Sequence, residues 1–146
     1  MTLTKCIFTL LSLTFFLAAC EQNHGVAIMD NWVRANVPGQ SVGAAYMTLL
    51  SAQDSTMIKA EADIAGSVEI HSMTMENGVM KMRMLEELPL KAGKAEKLAP
   101  GGFHLMLFDL KKPLTAGENV NFTLSFKDAA GNTTQQKVTL PIKAAE

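Results

Sequence analysis

Apolar and polar residues alternate in short runs along most of this chain, and turn residues cut the runs before any helical stripe develops. Val120, Phe122, Leu124 and Phe126 alternate with Asn121, Thr123, Ser125 and Lys127. That period of two predicts a strand with one buried face. Val138, Leu140 and Ile142 repeat the pattern near the end. Residues 27–34 predict a first strand and 44–50 a second, Val68 to His71 leads a third, and Gly78 opens a fourth. The run Phe103-His104-Leu105-Met106-Leu107-Phe108 is a strand whose only polar side chain is its histidine. Residues 37–41, 91–94, 99–102 and 129–132 carry the Gly, Pro, Asn and Lys of loops. No long amphipathic helix, internal repeat or linker interrupts this series. It predicts an all-β single domain, a two-sheet sandwich of roughly seven to nine strands.

The first twenty of the 146 residues follow a different pattern. Lys5 is followed by an apolar run from Cys6 to Leu17, the length of a secretory h-region and too short to span a bilayer. It ends in Leu17-Ala18-Ala19-Cys20, which resembles the lipobox of bacterial lipoproteins. The resemblance implies a signal peptide over residues 1–19, lipidation of Cys20, a tether over 20–25 and a folded domain over 26–146. Several acyl chains on Cys20 would anchor the chain stably on the periplasmic side of a membrane. Glu21, where an inner-membrane lipoprotein carries Asp, leans toward the outer membrane. The competing expectation is a plain signal peptide cut near Ala19, leaving a soluble periplasmic protein.

Composition narrows the chemistry. Both cysteines, Cys6 and Cys20, lie outside the predicted domain, so it has no disulfide framework and no zinc-thiolate site. Thirteen basic against fourteen acidic residues, with no basic run, argue against nucleic-acid binding. Any metal would have to use histidine, methionine or carboxylate.

The stretch His71-Ser72-Met73-Thr74-Met75-Glu76-Asn77-Gly78-Val79-Met80-Lys81-Met82-Arg83-Met84 holds five of the ten methionines. Asn77-Gly78 is the strongest short hairpin signal in the chain. A two-residue turn there pairs Met75 with Met80, Met73 with Met82 and His71 with Met84, so all six share one face. Ile70, Ser72, Thr74, Val79, Lys81 and Arg83 take the other, which is the expected wet face. His104 and Met106, two apart on a strand, also share a face. Two strands thus each offer imidazole and thioether on a common side, donors suited to Cu(I). Strand geometry alone leaves two readings open: copper ligands, or methionines packed as core. It also leaves Met82 and Met84 as rivals.

The spacing His71, ten residues, Met82, twenty-one residues, His104-Leu105-Met106 resembles the H-x10-M-x21-H-x-M signature of the periplasmic copper(A) chaperone family, PCuAC. Asn31-Trp32-Val33-Arg34, Gly43-Ala44-Ala45-Tyr46-Met47-Thr48-Leu49 and Pro100-Gly101-Gly102-Phe103 also look like blocks of that family, and the likeness covers roughly residues 26 to 142. It implies a cupredoxin-like Greek-key β-sandwich with Cu(I) on His71, Met82, His104 and Met106. The implied role is delivery of copper to the CuA centre in subunit II of cytochrome c oxidase, alongside a Sco-type thiol protein. Met73, Met75 and Met80 are then packing or a soft rim, and His24 belongs to the tether. Two departures stand out. Ser72 replaces a methionine common after the first histidine, and Pro141 to Glu146 shows no His/Met-rich tail.

An electron-transfer cupredoxin would need a cysteine thiolate on copper, and catalysis finds no nucleophile set or phosphate loop, so an enzyme is not expected. The remaining alternatives are a copper-buffering or resistance protein and a non-metal structural or adaptor lipoprotein with a methionine-rich core.

Overall fold

A computed structural model describes residues 25 to 144 apart from Pro38; Cys20, His24 and the signal-like segment lie outside the described residues. Ten strands and no helix are present there. In chain order they are β1 (Ala27–Arg34), β2 (Gly43–Leu50), β3 (Ser55–Ala62), β4 (Ser67–Glu76) and β5 (Val79–Leu85). β6 (Leu88–Leu90), β7 (Ala95–Leu98), β8 (His104–Phe108), β9 (Asn119–Asp128) and β10 (Thr133–Lys143) follow.

The strands pair in the order β5-β4-β8-β2-β1-β10-β9-β3-β6, with β7 also on β2. Every partner but one is antiparallel. β1 meets β10 in parallel over just two rungs, Val33 with Ile142 and Arg34 with Lys143. This seam divides the ribbon into a β5-β4-β8-β2-β1 layer and a β10-β9-β3-β6 layer, and the inward faces of both contribute to one core. Val33, Met47, Leu49, Leu105 and Leu107 come from the first layer; Met57, Phe122, Leu124 and Leu140 come from the second. β3 also packs against β4 without pairing to it, as a cupredoxin-like sandwich of one domain requires.

The alternation in β9 places Val120, Phe122, Leu124 and Phe126 inward, all essentially buried. The one polar exception is Ser125, which is buried under the Gln135 side chain. Three strands go beyond the sequence expectation. β6 and β7 are too short to show a period. In β3 a bulge between Met57 and Lys59 puts the buried residues Met57 and Ala60 three apart, so the period of two is lost.

The β4–β5 hairpin has the register that Asn77-Gly78 predicts: Met75 opposite Met80, Met73 opposite Met82, His71 opposite Met84. Asn77 and Gly78 both have positive φ, 52° and 77°, the type I′ geometry that suits the twist of the flanking strands. The expectation for its two faces needs correction. Ile70, assigned to the wet face, is buried in the core. The methionine face is open instead: Met75 is 66% exposed, Met80 63%, Met84 58% and Met82 46%. The cause is strand alternation: Ile70 turns inward to the core, so His71 and the methionines that share its face lie on the outer side of the layer. β8 stops at His104, opposite His71, so the rungs from Met73 to the tip also extend past the strand beside them. Packing as core therefore does not account for these methionines.

Candidate metal centre

Register carries the donors together. On the outer face of the first layer, His71 of β4 lies opposite His104 of β8 and Met84 of β5. Met106 of β8 lies opposite Glu69 of β4 and Ala44 of β2. The inward residues between them, Ile70, Leu105 and Leu107, are core. Strand alternation alone thus sends the imidazoles and the Met106 thioether outward.

The two imidazole centroids are 5.8 Å apart and tilted by 42°. A nitrogen about 2.0 Å from a metal puts its ring centroid about 3 Å away, so two imidazoles on one ion stand about 5–6 Å apart. The observed separation fits one shared ion. His104 is 5% exposed, and its Nδ1 donates to the Gly102 carbonyl at 3.0 Å. That bond fixes the proton on Nδ1 and leaves the Nε2 lone pair for another partner. His71 is the reverse case. Its Nε2 lies 2.8 Å from Glu69 Oε2 and donates to it, while its Nδ1 is buried without any hydrogen-bond partner. A buried acceptor with no partner costs about 1–3 kcal/mol, which an electron-pair acceptor at that nitrogen would recover. Both rings therefore have one N–H held by the protein and one nitrogen free, the arrangement that orients histidine ligands.

A shallow recess of about 200 Å³ opens on this face, and His104, Met106, Met82 and Met73 form its soft wall. Arg34, Ala44, Tyr46 and the Pro100-Gly101 turn complete it. His71 adjoins the recess through the His104 ring and is not part of its wall. Met84, opposite His71 in register, faces a separate depression with Ile58, Lys59 and Glu69. The structure thus gathers Met82 with His104 and Met106, and sets Met84 apart.

Three contributors were not identified from sequence. Glu69 holds His71, and its carboxylate brings a negative charge beside an otherwise neutral donor set. Tyr46 is buried enough to push its phenol above the ordinary value, with the nearby Arg34 guanidinium pulling in the opposite sense. Arg34 sits 5.2 Å over the Tyr46 ring, and the Trp32 ring lies 4.6 Å from it, tilted by 40°. Arg34 and Tyr46 line the recess together with Met106. The signal was available: Trp32, Arg34, Ala44 and Tyr46 alternate in β1 and β2 on the donor face. Among the described residues no three His, Cys, Asp or Glu side chains group into a metal site, so a site here has to draw on thioethers.

Comparisons with known proteins bear on the family and the fold. Residues 26–142 match the model of the family described as "Putative lipoprotein LpqE-like". The "Putative lipoprotein Lxx21020" of Leifsonia xyli subsp. xyli is 32% identical over 124 residues, covering 84% of this chain and 72% of that protein. DR1885 of Deinococcus radiodurans is also 32% identical. Its apo solution structure covers 99% of this chain and 97% of its own, with a TM-score of 0.61; its CuI form covers 86% and 85%, with a TM-score of 0.58. The copper-bound PCuAC domain of PmoF2, 22% identical over 82% of this chain and 93% of that one, shares the fold at a TM-score of 0.66. A family match across nearly all of the described domain, on a fold shared with PCuAC domains, assigns this chain to the LpqE-like, PCuAC-type family.

Proposed function

We propose that the protein is a copper carrier that binds one Cu(I) through His71, Met82, His104 and Met106 and hands it to an acceptor. The observation that carries the reading is the unpartnered, buried Nδ1 of His71 beside a His104 ring whose Nε2 is also free, next to two thioethers at one recess. The ion is cargo here. Thioethers and neutral imidazoles are soft donors that match Cu(I), and no proton has to leave a thioether for binding. Glu69 balances the single positive charge of the bound ion. The recess is shallow and two of its sulfurs are partly exposed, so an acceptor's ligands can enter while the carrier still holds on. The relative DR1885 has a CuI form, which supports the same oxidation state for this chain.

The acceptor we propose is the CuA site of cytochrome c oxidase subunit II, with a Sco-type protein working alongside. A lipid on Cys20 would hold the carrier at the periplasmic side of the membrane. Copper buffering for resistance differs only in the acceptor.

Anaerobic Cu(I) titration of the full chain in detergent against a chromophoric chelator tests the site. One tight equivalent is expected, and it is lost in His104→Ala/Met106→Ala. A wild type that leaves all copper on the chelator sinks the reading. Membrane fractionation of Cys20→Ser tests the anchor, with release from the membrane expected.

A further inference from the structure

The methionines that the recess leaves unused form a pattern of their own. Exposed apolar side chains are ordinary when scattered, but a contiguous group calls for a reason. Met75 and Met80 are the two most exposed large apolar side chains among the described residues, and they are direct cross-strand partners. The next rung inward on the same face is Met73 opposite Met82.

Backbone hydrogen bonding brings these rungs close. A two-residue turn closes on a hydrogen-bonded rung, here Glu76 with Val79, so alternate rungs beyond it are non-hydrogen-bonded. Met75·Met80 and Met73·Met82 are both of that kind. The Met73 amide confirms the parity, since it donates away from β5 to the Gly102 carbonyl at 3.1 Å. Non-hydrogen-bonded partners are the closer ones, about 4.5 Å between Cα atoms, and successive same-face rungs lie about 7 Å apart. Unbranched methionines with three rotatable bonds readily span such gaps. The cations of the hairpin, Lys81 and Arg83, belong to the opposite face, where Lys81 pairs with Glu76.

We propose that Met73, Met75 and Met80 form a second, weaker site for a soft monovalent cation, Cu(I) or Ag(I), one rung outside the recess. Three neutral thioethers suit such an ion and reject harder ones. Openness to water makes the site weaker than the recess, where imidazoles are held in place by Glu69 and Gly102. Because Met73 also lines the recess, an ion passes between the two sites by exchanging one sulfur at a time. The site extends the copper-carrier reading, and it has a separate point of failure.

Ag(I), which stays monovalent, is the probe, added to the full chain in detergent with its methionines labelled by 13C at the ε-methyl. The wild type is expected to take two equivalents, the second shifting the methyls of Met73, Met75 and Met80. Met75→Leu/Met80→Leu keeps the apolar surface and removes the sulfur. It is expected to take one equivalent only, with slower exchange of that ion into excess chelator. His104→Ala/Met106→Ala should lose the tight ion and keep the outer one. A wild type in which no Ag(I) shifts the methyls of Met73, Met75 and Met80, or two equivalents in Met75→Leu/Met80→Leu, overturns the outer site. A wild type that takes one weak ion at those methyls and no tight one would overturn the recess and leave the outer site standing.

Discussion

His71 shows how little separates a core histidine from a ligand. One ring nitrogen is tied to Glu69 and the other is buried with nothing to bind. Glu69→Gln keeps a hydrogen-bond acceptor beside His71 but removes the charge that balances a bound cation. Outer partners of this kind are worth about 10–100-fold in metal affinity. Glu69→Gln is expected at the lower end of that range and Glu69→Ala at the upper end, read by anaerobic Cu(I) competition. A second contrast separates the rival methionines. Met82→Leu removes a donor from the recess wall and should weaken Cu(I) binding clearly, while Met84→Leu changes a different depression and should leave affinity unchanged. Equal losses in both would mean that the register, and not the recess, determines the donor. From sequence those two sulfurs were indistinguishable on geometry, because both lie on one face of one strand. What separates them is where β8 and the Pro100-Gly101 turn lie, and no local pattern encodes that. The places of Arg34 and Tyr46 on the donor face follow from alternation, but their contact with each other is made by pairing between strands.

At the level of elements, the hairpin was the most legible part of the chain. Asn77-Gly78 settles turn type, turn type settles register, and register settles which side chains share a face. Gly78 sits at φ 77° with nothing near its missing Cβ, so a substitution there is strained by backbone conformation and not by crowding. Gly78→Ala should cost about 1–2 kcal/mol, seen as faster amide hydrogen exchange in β4 and β5. Unchanged exchange would show that the hairpin does not depend on the turn. The β9–β10 connection is held differently. Asp128 accepts from the Asn132 side chain and backbone, and those bonds lower its pKa. A carboxyl lowered in the folded state adds stability above its ordinary value, and that addition is lost as pH falls through the lowered one. The stability gap between wild type and Asp128→Ala should therefore close below about pH 4, as measured by denaturant unfolding. The elements that were missed, β3, β6 and β7, lack a readable period through a bulge or sheer shortness. Burial of the methionine face was misjudged because apolar residues on one face imply a partner, while the core takes the other face of β4 through Ile70.

For the molecule as a whole, one core serves both layers. Phe122 is fully buried in the second layer, and its neighbours in the core come from both. Phe122→Ala should cost about 3–5 kcal/mol and lower the unfolding temperature in a single transition. Far-ultraviolet circular dichroism, which reports the strands of both layers, and Trp32 fluorescence, which reports the first, should move together. Two separate transitions would mean that the β1–β10 seam divides the chain into independent halves.

β4 and β8 each divide their residues between two tasks. Ile70, Leu105 and Leu107 hold the fold together, and their immediate neighbours His104 and Met106 line the recess, with His71 beside the His104 ring. Cargo preference can therefore be rewritten on a scaffold that does not notice. Replacing Met82 and Met106 with histidine would move the donor set toward harder ions such as Cu(II) or Zn(II) and leave every inward contact in place. What the carrier carries is, in that sense, a removable part of what it is.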